Sequence, residues 1–336
     1  MSSIQGGANS LEYNGITEEE LKQLSTIDGF DKWQKIERYF PETRYVPDNS
    51  KLKTGVISIP PRAEKAVSPT LRLYTITAAN GNKLLMRTDT IGRFEKECDL
   101  AAFSDRIFNE GRVYVSSPVE VGAFDGDRKV YSLYNFFCGD NLARRLPEFS
   151  TSHQHAFGVE AGKQLAKLQS VLPSPDDTPE EKTDIFLMLT RMEEKGIKYE
   201  SFAEASAFLK KHHSIPENRP VTAIHGSFSA NTMFLDKDLN VGVLPLSEAR
   251  WGDPVSDLAF LSDGYSLPFI KGVFKGMYNG LLPNDFFELL AYYTTVEAIS
   301  DVDNATDEAQ RETAILRARK IASDLDNYQS VIPIWY

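Results

Sequence analysis

At 336 residues, with 41% hydrophobic and 25% charged side chains, the chain can bury a sizeable core in one or two domains. Its net charge of −11 argues against a nucleic-acid partner, which needs a basic face, and fits a solvated acidic surface or a cationic ligand. Cys98 and Cys138 lie in unrelated segments, which excludes a disulfide framework and a cysteine-based zinc site. No apolar run could span a membrane, and polar residues 1–15 carry no signal core, so a cytoplasmic protein is expected.

Thr17 to Glu20 reads as a capping box opening a helix with Leu21 and Leu24 on one face. A second short helix is expected over 31–39. Pro41, Pro47, Pro60 and Pro61 break the chain around Tyr45 to Ile59 into extended segments and turns. Leu71 to Thr77 is a strand pattern, Asn80-Gly81 a tight turn, and Lys83 to Thr88 the return strand. Phe94 to Leu100 opens a helix. Val113–Val121 and Lys129–Phe137 predict two more strands, the second ending in Tyr134-Asn135-Phe136-Phe137. An aromatic run in a strand is more often core than ligand box.

Thr151 to Leu172 predicts a long amphipathic helix. Phe157, Ala161, Leu165 and Leu168 share one face, and Gly158 and Gly162 allow close packing. His153 and His155 near its start are expected to be exposed. Helices are predicted over 184–195 and 201–212, and a short strand over 220–224. Val255–Leu261, Leu267–Tyr278, Asp285–Ile299 and Asp307–Tyr328 read as helices closing the chain.

The segment between these last groups carries the chemistry. Ile224 to Leu261 reads IHGSFSANTMFLDKDLNVGVLPLSEARWGDPVSDLAFL. With its His225-Gly226 pair, its apolar strand Met233 to Leu235 and its closing Gly252-Asp253-Pro254-x-x-Asp257-Leu258, it resembles the core of the aminoglycoside phosphotransferase and choline kinase family. That family shares the protein-kinase fold. The resemblance extends over roughly 71–293, from the first hairpin to Tyr292-Tyr293. It implies an α+β, bilobal architecture: a small antiparallel β-sheet N-lobe over 51–137 and a larger, mostly helical C-lobe over 138–336. Residues 1–50 are expected to form a partly helical extension.

The family writes its catalytic loop His-Gly-Asp, four residues, Asn. On that frame, loop 225–232 places Ser227 at the catalytic Asp and Thr232 at the metal-binding Asn. Counting back from Trp251-Gly252-Asp253-Pro254 places Pro245 at the second metal-binding Asp. A one-residue deletion would put Asn231 at the Asn position and restore one ligand at most.

Phosphoryl transfer requires an acceptor hydroxyl held in line and Mg²⁺ held against the phosphates. A serine cannot take the acceptor's proton, and losing a general base costs about 10²–10⁴ in rate. Thr232 offers one weak neutral oxygen, and Pro245 offers neither a ligand nor an N–H. Among nearby acids, Asp236 and Asp238 belong to a turn, Asp236 to Asn240. Glu248 is the best candidate for a displaced metal ligand, with Asp253 behind it. Ala66 to Thr70, where kinases carry a glycine-rich phosphate loop, has no glycine.

By the same resemblance, Arg87 is the phosphate-contacting base of the return strand and Glu97 its helical partner. Tyr134 and Phe136 stand at the adenine hinge, and Asp257 braces the loop at His225 and Gly226. Family members often end the 151–172 helix Leu-His, where this chain has Leu168-Gln169.

The reading is a pseudokinase that serves as a binding or scaffold subunit, in one version beside a peptide- or metabolite-modifying enzyme. It holds a protein, peptide or small molecule in the cleft, uses no cofactor or metal, and touches neither nucleic acid nor membrane. The alternative is an active kinase of small-molecule or peptide hydroxyls, using ATP and a rearranged Mg²⁺ site.

Overall fold

The computed structural model describes residues 53–56, 72–77, 83–124, 129–135, 139–179, 182–243, 249–261 and 266–336. The helices expected within 1–50, the turn at Asn80-Gly81, the segment Ala66 to Thr70, and Phe136, Pro245 and Glu248 lie outside them. The chain divides into two compact units, 1–108 with 115–138, and 109–114 with 139–336.

In the first unit, β1 (Lys53–Val56), β2 (Arg72–Thr77), β3 (Lys83–Thr90), β4 (Pro118–Phe124) and β5 (Lys129–Asn135) form one antiparallel sheet in the order β1-β2-β3-β5-β4. Helix α1 (Phe94–Arg106) packs on it, with Ala101 buried against Val121 and Val130. The strand expected from Val113 begins only at Pro118. The reason is that 109–114 is claimed by the other unit. Tyr114 donates its N–H to Gln164 Oε1 at 2.9 Å and accepts at its carbonyl from the Val243 N–H at 2.8 Å.

The second unit contains two small sheets and most of the helices. β6 (Gly139–Asn141), β8 (Met233–Asp236) and β9 (Val241–Val243) pair in the order β6-β8-β9. β7 (Thr222–Ile224) pairs with β10 (Arg250–Gly252). The helices are α2 (Leu142–Arg145), α3 (Thr151–Gln169), α4 (Ile185–Glu194), α5 (Phe202–Lys211), α6 (Leu267–Tyr278), α7 (Phe286–Asp303) and α8 (Glu308–Asp324). Ser150, Asp184, Ser266 and Asp307 cap α3, α4, α6 and α8 with their side-chain oxygens. Met192, Leu209, Val302 and Ile321 are buried in the core shared by α4, α5, α7 and α8.

Helices α3 and α6 lie unusually close. Gly158 and Gly162 on α3 face Gly272 and Gly276 on α6, and a Cβ on any of the four would fall 2.1–2.3 Å from a carbonyl oxygen of the opposite helix. The expected face of Phe157, Ala161, Leu165 and Leu168 is buried. His153 is exposed, whereas His155 is only half exposed.

Boundaries differ where tertiary contacts intervene. α3 stops at Gln169, whose side chain is used elsewhere. α7 runs on to Asp303, past the expected end at Ile299, because Arg191 on α4 and Lys195 just past its end hold that carboxylate at 3.0 and 2.5 Å. The helix expected over Val255–Leu261 is present as a 3₁₀ helix over Pro254–Phe260. Three residues per turn place Val255 and Leu258 on one buried side. Among the described residues, no helix is long and apolar enough to cross a membrane.

Candidate functional site

The loop after β7 takes its shape from one carboxylate. Asp257, wholly buried, accepts the His225 N–H at 2.9 Å on Oδ2 and the Gly226 N–H at 2.7 Å on Oδ1. Gly226 has φ +82°, where a side chain would be strained, so glycine is required. Gln169 donates from Nε2 to Asp257 Oδ2 at 3.2 Å and to the Pro254 carbonyl at 2.8 Å. Burial raises the Asp257 carboxyl to about 6, against the three donors and Arg250, which lower it.

Asp253 fixes the far end of the same segment. Its Oδ1 caps Val255 N–H at 2.9 Å, and its Oδ2 accepts from Arg219 Nε at 2.8 Å and from the Tyr293 hydroxyl at 3.0 Å. Arg219 also reaches Asp285 at 2.9 Å. With all these partners, Asp253 acts as a cap and brace.

His225 is buried, and its pKa is lowered to about 3 by burial and by the charge of Arg250. Its Nδ1 accepts the Ser227 N–H at 3.3 Å, which puts the ring proton on Nε2. That Nε2 is buried with no hydrogen-bond partner among the described residues. The Ser227 hydroxyl lies 3.5 Å from Nδ1, at the limit of a hydrogen bond.

Thr232 turns inward. Its hydroxyl lies 2.9 Å from the Ser229 carbonyl and 3.1 Å from the Ser227 carbonyl, and it accepts the Ser229 N–H at 3.3 Å. Ser229 and Thr232 form a capping box that closes the loop on itself. The Asn231 carbonyl accepts from Asn141 Nδ2 at 2.8 Å, tying the loop to the start of α2. Asp236 behaves as the turn residue expected. It accepts the N–H groups of Asp238 and Asn240, both at 2.8 Å, and the Tyr114 hydroxyl at 3.2 Å. No group of three or more His, Cys, Asp or Glu among the described residues is arranged to hold a metal ion.

In the first unit, Arg87 on β3 meets Glu97 on α1 through Nε at 3.1 Å and Nη2 at 3.0 Å. Ser132, the cross-strand partner of Arg87 on β5, donates to the same carboxylate at 2.6 Å. Burial by itself raises the Glu97 pKa, but the Arg87 charge and hydrogen bonds, with Ser132, hold it below the usual carboxylate value. Arg87 is 3% exposed. Tyr134 is buried as completely, and burial beside the Glu97 charge pushes its phenol up. It is a core side chain, with no ring face open for stacking.

Two groups were not singled out by sequence. Ser132 could have been found from its place directly across the sheet from Arg87. Gln169 appeared only as a departure from the family's histidine, and its role as the Asp257 brace requires the packing of α3 against 254–257. The Arg219–Asp253–Tyr293 network joins segments with no pattern in common.

Comparison with known proteins agrees with this fold. A model of the Phosphotransferase enzyme family (APH) matches residues 71–281. No curated protein matches the chain. The GDP complex of wild-type aminoglycoside 2'-phosphotransferase-IIIa superposes with a TM-score of 0.63 at 11% identity, over 90% of this chain and 97% of that one. A putative fructosamine-3-kinase from Haemophilus somnus 129PT gives 0.56 at 13%, over 81% and 92%. The streptomycin-ATP complex of APH(2")-IIa gives 0.51 at 13%, over 80% and 91%.

Proposed function

Since the chain belongs to the phosphotransferase enzyme family, we propose that it is a member whose catalytic loop has been given over to binding. The protein is a pseudokinase-like scaffold or ligand-binding subunit in the cytoplasm, slow or inert in phosphoryl transfer. One observation carries this reading. The contacts that shape the loop are complete, from Asp257 to His225 and Gly226, while of the two side chains at the chemical positions Thr232 is turned onto the loop's own carbonyls and Ser227 is no carboxylate. Ser227 has no carboxylate to accept a proton. The Thr232 hydroxyl is held by its own backbone, so ligating Mg²⁺ would break the capping box. Relatives of this fold hold GDP or ATP, and a Mg²⁺-nucleotide here would lack the anionic ligands it needs. The ligand is instead a protein, peptide or small molecule.

An active hydroxyl kinase is the second reading, and the Arg87–Glu97 pair favours it, since the same basic-acidic pair is required in active kinases. Incubation with Mg·ATP and a panel of hydroxyl acceptors separates the two. The expected result is no ADP and no phosphoproduct. Turnover above about 1 s⁻¹, ordinary for a kinase, ends the first reading. Calorimetry with ATP is expected to show weak or absent binding with little dependence on Mg²⁺.

A further inference from the structure

We propose that the second unit carries a binding slot for a small primary amine with a thin apolar body, set behind the 3₁₀ helix that holds Asp257. The slot is walled by Leu258 of that helix, Phe274 of α6, Leu290 and Ala291 of α7, Ile321 of α8, and Trp335. All of these except Trp335 are buried, so core packing fixes the walls. The space outside the protein atoms amounts to about 380 Å³, part of it open solvent, yet only about 20 Å³ of it can take the centre of a water molecule. A broad envelope with so little depth is a slot about one atomic layer thick. It admits a flat ring or a single alkyl chain and excludes a bulky polycation.

One end of the slot is charged. Asp324, the last residue of α8, is the only charged side chain among the described residues that line it. Its Oδ2 already holds an ammonium, since Lys320 Nζ, one turn back, donates to it at 2.6 Å. Its Oδ1 has no hydrogen-bond partner among the described residues. The Lys320 side chain is half exposed, so this pair is partly solvated, contributes little and is readily exchanged. The Asp324 carbonyl accepts the Ile334 N–H at 2.8 Å, which pins the chain just before Trp335 to the charged end. The Phe274 and Trp335 rings, tilted 32° with centroids 6.4 Å apart, stand at the wide end of the range for paired rings. Their faces favour a cation.

Apolar walls, a carboxylate with a spare oxygen and an ammonium already seated on it together define the ligand. Its ring or chain leaves water for the slot, and its ammonium bonds Asp324 beside Lys320 or in its place. The net charge of −11 draws cations toward the protein. Leu258 adjoins Asp257, whose carboxylate holds the His225 and Gly226 N–H groups, so the bound amine packs against the element that braces the loop. The site does not depend on whether that loop transfers phosphate.

The test is calorimetry on the full chain near neutral pH, comparing phenethylammonium with phenethyl alcohol, its neutral counterpart of similar shape. The amine is expected to bind about tenfold more tightly, the margin of a hydrogen bond to a charged group. Lys320→Ala removes the competing ammonium and should tighten the amine about threefold while leaving the alcohol unchanged. Asp324→Asn should bring the two probes to equal affinity. These opposite effects at neighbouring positions would not follow from a merely structural ion pair. Hydrogen exchange locates the site, and the amine is expected to slow exchange in 289–294 and 321–325. No binding of the amine, equal binding of amine and alcohol by the parent, weaker amine binding by Lys320→Ala, or protection confined to other segments overturns the proposal.

Discussion

Gly162→Ala tests how the second unit is held together. The added Cβ would sit 2.2 Å from the Val273 carbonyl oxygen and 3.0 Å from the Met277 nitrogen. Both obstacles are backbone, so neither can swing away. Relief requires α3 and α6 to separate by about 1 Å, since carbon and oxygen in contact sit more than 3 Å apart. Overpacking of this kind costs about 1–3 kcal/mol. Against it stands the gain from replacing glycine inside a helix, about 1 kcal/mol. The net expectation is a loss of up to about 2 kcal/mol, read by urea unfolding followed by circular dichroism. Gly276→Ala, facing the Val159 carbonyl at 2.1 Å, should behave alike. The double variant should lose less than the sum, because one separation of the helices accommodates both methyl groups. Gly92→Ala, with nothing within 4 Å of the new atom, is the control and should be neutral or slightly stabilising. If Gly162→Ala is instead more stable than the parent by about 1 kcal/mol, the full gain from replacing a helical glycine, the close backbone approach is not what sets this interface.

Two buried groups near the loop should give opposite pH slopes. Asp257, raised to about 6, adds stability that is complete below its unfolded pKa of about 4 and lost as pH rises to 6; His225, lowered to about 3, adds stability that is complete above about 6.5 and lost as pH falls toward 3. Relative to the parent, Asp257→Asn should therefore gain stability as pH rises from 4 to 6, and His225→Asn should lose it; parallel curves for all three proteins would refute both assignments. Glu97→Gln should cost about 3–5 kcal/mol by leaving Arg87 charged and buried, whereas replacing both with leucine should cost far less in the same denaturation assay. Ser227→Asp alone should produce no kinase. Activity is expected only with Thr232→Asn and Pro245→Asp added, so phosphoproduct from the single variant would show that the metal part of the reasoning fails.

Much of the loop's logic was legible in the sequence. The pairing of Arg87 with Glu97, the brace from Asp257 and the turn at Asp236 all rest on residues at set spacings. Each depends on one strand or loop presenting one side chain. The inward turn of Thr232 was not legible, because whether a threonine hydroxyl faces a cleft or its own backbone depends on the loop's path. Nor could sequence distinguish Tyr134 in the core from Tyr134 against a ligand, since an aromatic strand reads the same in both settings.

By itself, the order of residues determined the long helices and the hairpin strands around 71–90, because period, caps and breakers act over a few neighbours; the three-residue strands β6, β9 and β10 exist only through their pairings. It also determined which chemical groups are missing from the loop, since no folding can turn Ser227 or Thr232 into a carboxylate. Tertiary structure alone decided where elements end and what polar groups do. Residues 113 and 114 left their expected strand, with Tyr114 turning to Gln164 and Val243, Asp303 was drawn into α7 by Arg191 of α4 and Lys195 just past its end, and Gln169 took up the brace on Asp257. Each of these joins partners more than 30 residues apart, and a buried polar group takes whatever partner the packing brings to it.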